Sequence, residues 1–506
     1  MHAKGTLRTT LNRIGIVLCA CCLSWLLLNT ICFNDYFRYD MRWLLPMLAA
    51  VWALAGIGIA CILRRGEPSR RASVWVVSVY LTLLFVLQVT FGILLEYGPI
   101  CDVDAVYGGA IEWLGSGSFT NNPEYEQYFY YFPNNLGLLT VFYLWFRLCT
   151  ALGFGYFFGM AVVLNAMLAT AAIGVSLSIV QKLLGRRAML CGVMLFAAVL
   201  PFYFTGAVFY TDSMSLLFPV LTYRLHLWAK DQTRLGRKIA VYALAAGVAF
   251  IGMKIKFTVA VMLIAIVLEL LTTHKLKTAL CCMLTLGAVI AALMGLFDAY
   301  MYSTHLDRAR AQQENTPVLH WIMMGLPLEE GWGTCSMYDY DFTRSFDTTQ
   351  ERDAAIFEKF KFRLYRHRYP DRFINLISRK NTMTFGDGMF GLWDILDDHP
   401  VRHTPVHDIV FYNKEKTANI LYRYFCAAVY TLLLAVGAAG CWKAAVRKNG
   451  AYLNAPGIPL ALLGIWMFLS MWETSPRYFF NYLPVLVIAA AMGCCCLANG
   501  RRQSNE

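Results

Sequence analysis

Runs of apolar residues long enough to cross a bilayer as helices, about 20 residues each, recur along most of the chain. They lie near 14–33, 43–63, 72–95, 156–180, 188–208, 213–229, 239–253, 257–272, 279–297, 418–441, 457–472 and 478–498, which predicts about twelve transmembrane helices. A thirteenth run, 134–152, is short and amphipathic, with Arg147 inside it and the Gly153/Gly155 break at its end. The first run starts at residue 14 without a small-residue cleavage site, so it reads as a retained span and not a signal peptide.

Charge gives these runs a direction. The connectors 1–13, 64–71, 181–187, 230–238, 273–278, 442–456 and 499–506 hold 21 Lys and Arg against three acids, Glu67, Asp231 and Glu506. Short loops of that composition stay in the cytoplasm, which places both termini there and leaves 28 of the 32 Asp and Glu on the opposite side. The rule holds throughout only if 134–152 does not cross, because a crossing would put Lys182, Arg186 and Arg187 outside. We therefore read 134–152 as an interfacial or re-entrant segment inside one external loop, 96–155.

Composition agrees: of 506 residues, 58% are hydrophobic and only 15% charged, which excludes an ordinary water-soluble chain. The net charge of +12 is spent on topology, so nucleic-acid binding is excluded too. Fourteen of the 16 cysteines lie in or beside apolar runs and read as small packing residues. Cys101 and Cys335 are external, where they stand either as free thiols or as a pair joined in an oxidising milieu. The expected fold is all-α and polytopic: an N-terminal hairpin over 1–71, a core over 72–297 with the external loop 96–155, an external loop of about 120 residues over 298–417 with an amphipathic helix at Gln350–Arg368, and C-terminal spans over 418–506.

Chemistry belongs on the external face, since the internal connectors are too short and too basic to build a pocket. Asp102 and Asp104 follow a span directly. A carboxylate partly desolvated at a membrane exit suits a general base, and the same pair equally suits capping of a short helix. Tyr125, Tyr128, Phe129, Tyr130, Tyr131 and Phe132 lead into Pro133-Asn134-Asn135, either as a headgroup-level aromatic belt or as a sugar-stacking wall. Asp212 stands at the outer end of a later span, Lys254 and Lys256 share an external turn, and Glu473 and Arg477 lie in the last external turn. Acids are functional candidates at such places, whereas Lys and Arg also snorkel there.

Asp102 with Val106 and Ala110, Gly115-Ser116-Gly117 and then Tyr131-Phe132-Pro133 resemble the first external loop of the GT-C glycosyltransferases. These polytopic enzymes take a sugar from a polyprenyl-phosphate carrier, and they include protein O-mannosyltransferases and bacterial aminoarabinose transferases. The resemblance runs from about residue 72 onward. Pro201 with Tyr210-Thr211-Asp212 is similar to the family's second acidic site, Lys256-Phe257 to its lysine-aromatic pair, and Pro476-Arg477-Tyr478 to its late arginine turn. The chain departs from the family pattern in having Val103 after Asp102, with the second acid displaced to Asp104.

The resemblance implies a GT-C-like core in the plasma membrane that moves a sugar to a hydroxyl of a cell-envelope glycan, glycolipid or secreted protein. Asp102, with Asp104 beside it, takes the catalytic place and Asp212 the second acidic site. Lys256 and Arg477 bind the donor phosphate, and Tyr131, Asn134, Tyr210 and Glu473 line the substrate. No cofactor is implied, and a divalent metal enters only if Asp102, Asp104 and Asp212 approach within roughly 5 Å of one another. The competing readings are a transporter or flippase for a lipid-linked saccharide and a non-catalytic scaffold. Few ionisable residues lie inside the spans, chiefly Arg224, Glu269 and Arg423, and no repeat is evident, which weighs against a transporter.

Overall fold

The computed structural model describes residues 2–33, 39–328, 331–391, 400–410, 416–447 and 451–498. Among these residues the chain is helical throughout, with an isolated bridge between Tyr97 and Pro400 and no longer strand. Eight helices are long and apolar enough to cross a membrane: Arg8–Cys32, Met41–Arg64, Arg70–Leu94, Phe157–Leu184, Leu235–Ile255, Leu276–Thr304, Thr417–Arg447 and Phe480–Ala498.

All twelve apolar runs become helical, though among the described residues only eight of the helices are by themselves long and apolar enough to cross. The 188–208 run makes a pair, Arg186–Ala198 and Pro201–Ala207, bent by 62°, which raises the count to nine if taken as one span. Pro201 opens the second half as its first residue, where the missing N–H costs least. The 213–229 and 457–472 runs form helices of 15 residues each, Leu217–Asp231 and Gly457–Met471, and 257–272 forms Phe257–Thr273. Each of these segments has one end at a polar turn carrying Tyr210-Thr211-Asp212, Lys256 or Glu473.

The bundle sorts charge by end. Arg187 Nε donates to Glu67 at 3.1 Å, Lys182 Nζ to Asp231 at 2.6 Å, Lys230 Nζ to the Asn454 carbonyl at 3.1 Å and Arg13 Nη2 to the Ala445 carbonyl at 2.7 Å. Five of the basic connectors thus meet at one end. The two long loops meet at the other: Thr316 N–H donates to the Tyr131 carbonyl at 3.0 Å, Gln127 to Glu314 at 2.6 Å and Val401 N–H to the Glu96 carbonyl at 3.0 Å. Because 181–187 lies beside Glu67, the chain enters and leaves 96–155 at the same end. The helix Leu136–Ala151 therefore does not carry the chain across. Its Gly137 lies against the Lys254 carbonyl, an approach that any Cβ would block.

The helix Leu483–Ala498 forms the centre, with every residue from Leu483 to Cys494 buried. Its Gly493 meets Gly440 of Thr417–Arg447 so closely that a side chain on either would collide, the small-residue contact by which membrane helices approach. Peripheral helices do the reverse. Leu54, Leu284 and Leu296 keep 67–71% of their surface exposed, which is stable only in an apolar solvent. The first hairpin packs on the C-terminal helices, with Trp52 Nε1 donating to the Ala428 carbonyl at 3.2 Å. The helix Leu276–Thr304 runs past residue 297, so the expected boundary there falls within it. The expected amphipathic helix is Thr349–Arg366.

Candidate functional site

Asp102 lies in the first turn of the helix Cys101–Ser116, whose N-cap, Ile100, makes no side-chain cap bond. Cys101 just before it has φ of 51°, a left-handed conformation that costs a non-glycine residue about 1–3 kcal/mol. The carboxylate is taken by side chains: Tyr128 OH donates to Oδ1 at 2.7 Å and Tyr210 OH to Oδ2 at 3.2 Å. Asn135 Nδ2 donates in turn to both phenol oxygens, at 2.6 and 3.3 Å. Burial, with Asp102 nearby, pushes both phenols well above the usual tyrosine range, so they stay neutral donors. An amide feeding two phenols that feed one carboxylate is a polarised, oriented chain.

Asp104 points elsewhere. Two residues along a helix are about 200° apart, and Asp104 accepts from Tyr125 OH at 3.3 Å instead. Burial raises its pKa above the usual carboxylate range.

Asp212 is 4% exposed, in the short helical turn Thr211–Met214. Lys256 Nζ pairs with its Oδ1, and Arg477 Nε lies 3.4 Å from its Oδ2. Lys256 is the extended residue closing the helix Leu235–Ile255, and its burial lowers its pKa against the opposing pull of Asp212. Arg477 sits 5.2 Å from the centre of the Tyr210 ring, and Lys256 4.5 Å from that of Tyr478. Tyr478 OH donates to Glu473 Oε1 at 2.9 Å, while the other oxygen, Oε2, is buried without a hydrogen-bond partner. Burial pushes Glu473 up to about 7. Asp102, Tyr210, Arg477, Asp212, Lys256, Tyr478 and Glu473 thus form one connected network, drawn from segments up to 376 residues apart.

Polar groups hold the broken helices that carry it. Asn165 Nδ2 donates to the Thr205 and Val208 carbonyls at 2.6 and 3.1 Å, satisfying the backbone at the bend. Asn481 Nδ2 donates to Thr258 Oγ1 at 2.8 Å, and Tyr482 OH to the Thr258 carbonyl at 3.0 Å, which ties the arginine turn to the lysine turn. From the 298–417 region, Lys380, 1% exposed, donates to the Trp472 carbonyl at 2.6 Å and the Gly325 carbonyl at 2.8 Å. Its burial pulls its pKa down to about 7.

Six of the nine residues singled out in the sequence therefore meet: Asp102, Tyr210, Asp212, Lys256, Glu473 and Arg477. Asp104, Tyr131 and Asn134 do not join them. Tyr131 lies under the Arg344 guanidinium, 4.1 Å from its ring centre, and Asn134 is exposed beside the buried Asn135. Tyr128, Asn135, Tyr478 and Lys380 were not singled out. Tyr128 and Asn135 sit one helical turn and one residue from the expected positions, and Lys380 carried no signal, because a lysine in a mixed-charge loop reads as solvated. Cys101 and Cys335 are free and exposed. Among the described residues no three His, Cys, Asp or Glu are grouped to hold a metal ion.

The family model of the conserved hypothetical integral membrane proteins matches residues 45–495. The chain belongs to that family. It is an integral membrane protein, with the polar network at the end of its helix bundle opposite the basic connectors. No curated protein matches it. Among solved structures it is similar to the archaeal oligosaccharyltransferase AglB from Archaeoglobus fulgidus, in complex with an inhibitory peptide and a dolichol-phosphate. The identity is 12% and the TM-score 0.36, over 82% of this chain and 50% of that one. The chain spans about half the length of that protein.

Proposed function

We propose that this protein is a glycosyltransferase that moves a sugar from a polyprenyl-phosphate carrier to an acceptor hydroxyl on the extracytoplasmic side of the plasma membrane. The observation that carries the reading is the convergence of an oriented carboxylate, Asp102, with a cationic cluster, Lys256 and Arg477, through Tyr210 and Asp212. The order of the motifs along the chain, similar to that of the GT-C glycosyltransferases, supports it. The sidedness follows from the basic connectors, which belong to the cytoplasm.

In this reading Asp102 takes the acceptor's proton as its oxygen attacks the anomeric carbon, and the bond from that carbon to the phosphate oxygen breaks. The carrier phosphate leaves with the electron pair, and its charge is met by a cation. Arg477, whose side chain keeps 27% exposure, is the reachable one; Lys256, at 11%, is committed to Asp212. Asp212 sets the position of both. Glu473 and Tyr210 line the reacting space, with Asp104 outside it.

Purified protein in detergent, given a radiolabelled polyprenyl-phosphate sugar and membrane extract as acceptor, tests the proposal. Transfer that disappears in Asp102→Asn supports it. Vectorial movement of the intact donor in proteoliposomes without bond cleavage would overturn it in favour of a transporter.

A further inference from the structure

A second polar feature lies away from this network. Between the helices Thr349–Arg366 and Pro370–Phe385 is a cavity of about 380 Å³ lined by Arg366, His367, Arg372, Asn375, Leu376 and Arg379, with Pro327, Leu328 and Gly331 on one side. Arg372, Asn375, Leu376 and Arg379 stand at i, i+3, i+4 and i+7, so one helix face supplies them. Leu376, 4% exposed, is the apolar floor. Within 364–379 the only acid is Asp371, against Arg366, Arg368, Arg372, Arg379 and His367. Arg366 and Arg372 make no ion pair among the described residues. His367 Nε2 bonds the Pro327 carbonyl at 3.1 Å, while its Nδ1 is buried without a partner.

The surroundings are apolar and aromatic. Tyr365, Tyr369, Phe373 and Ile374 keep 46–61% of their surface exposed. The Arg368 guanidinium stacks on Tyr365 and Tyr369, 3.7 and 4.2 Å from the ring centres. Exposed rings interleaved with arginine are the composition of a headgroup-level surface. The helix is also anchored where a span ends: Ser378 Oγ donates to Asn29 Oδ1 at 2.5 Å and Thr382 Oγ1 to the Phe33 carbonyl at 3.1 Å.

The geometry points to a binding site for a phosphoryl group in this cavity, held by the forks of Arg366 and Arg372 with Asn375 and His367, and carried there by a lipid headgroup or as free phosphate. Planar guanidinium forks match phosphate oxygens in pairs. An amphiphile's chain would run along Tyr369, Phe373 and Ile374. Residues near the cavity in the chain also bond the segment that carries Glu473: the Gly325 carbonyl accepts from Lys380, which also donates to the Trp472 carbonyl, and the Gly333 carbonyl accepts from Thr474 N–H at 2.8 Å. The inference does not rest on the glycosyl-transfer reading.

The test is isothermal titration of the intact protein in neutral detergent with inorganic phosphate, with dihexanoyl phosphatidic acid, and with dihexanoyl glycerol, which lacks the phosphate. The expected result is binding of at least one phosphate probe that R366Q/R372Q weakens by about tenfold or more, the loss of a charged hydrogen bond. Tighter binding of the lipid phosphate assigns a headgroup, and equal binding assigns free phosphate. R366K/R372K keeps the charge but loses the forks, and is expected to weaken binding with an unchanged melting temperature. Glu329 and Glu330 fall outside the described residues; E329Q/E330Q is expected to retain or tighten binding. The inference is overturned if neither phosphate probe binds, if the glycerol lipid binds as well, if R366Q/R372Q binds normally, or if E329Q/E330Q abolishes binding.

Discussion

Two buried carboxylate clusters sit at opposite ends of the bundle and are built in opposite ways. At the basic end, Glu269 is fully buried and both its oxygens are used. Oε1 accepts from Lys230 Nζ at 2.6 Å and lies 3.2 Å from His226 Nε2, while Oε2 accepts from Tyr223 OH at 3.0 Å and Gly457 N–H at 2.9 Å. At the other end, Asp212 Oδ2 and Arg477 Nε face each other as an ion pair at 3.4 Å without hydrogen-bond geometry, and Glu473 Oε2 is buried without a hydrogen-bond partner. Buried polar atoms are normally satisfied. A closed cluster therefore joins helices, whereas an open one keeps polar capacity for a ligand.

The largest expected effect separates a reacting acid from its neighbour. Asp102→Asn keeps the shape but cannot accept a proton, so transfer should fall by about 10²–10⁴-fold, read as initial rate with labelled donor. Asp104→Asn, outside the network, should cost far less. Equal losses would mean that the acids act only through the start of their helix.

Next comes the closed cluster. Glu269→Ala takes the carboxylate from Lys230, Tyr223 and the Gly457 N–H, leaving Lys230 only the Asn454 carbonyl, and should lower stability by about 3–5 kcal/mol, read as a fall in melting temperature in detergent. The donor KM of the protein that remains folded should be unchanged. A shifted KM with an unchanged melting temperature would reverse the roles assigned to the two ends.

A smaller change sharpens the open cluster. Arg477→Lys keeps the charge and loses the fork, so apparent donor affinity should weaken by about tenfold or more, in line with about 1.5–3 kcal/mol for a charged hydrogen bond. Donor titration that matches the parent would remove Arg477 from the phosphate.

The smallest effect is a trend with pH. Glu473 in the folded protein holds its proton up to about 7, against an ordinary value of 4.5. Between those values the folded state binds a proton that the unfolded state has released, so this contribution to stability is present at low pH and is lost as pH rises through 7. Glu473→Gln has no proton to lose. Its melting temperature relative to the parent should climb from pH 5 to pH 8, and a flat difference would place Glu473 in contact with water.

Much of this contrast was legible in the sequence. Asp212, Lys256, Glu473 and Arg477 stand out because each interrupts or ends an apolar run, where a charge needs a reason. Tyr128 and Asn135 could not be chosen over Tyr131 and Asn134, because hydropathy says nothing about which way a ring in a run of aromatics points. Twelve helices were expected from twelve runs; among the described residues eight, or nine with the bent pair, are long and apolar enough to cross a membrane, and hydropathy alone did not show which runs would stay short or break.

The sequence by itself determined the solvent, the helices, the sorting of charge to two ends and the positions where charge meets an apolar run. These are local, additive properties of short segments. Only the tertiary structure decided that Asp102 joins Asp212 while Asp104 turns away, that Lys380 reaches the turn before Glu473, and that one acid cluster is closed and the other open. Those facts depend on side-chain direction around a helix and on packing between segments hundreds of residues apart, which no window along the chain contains.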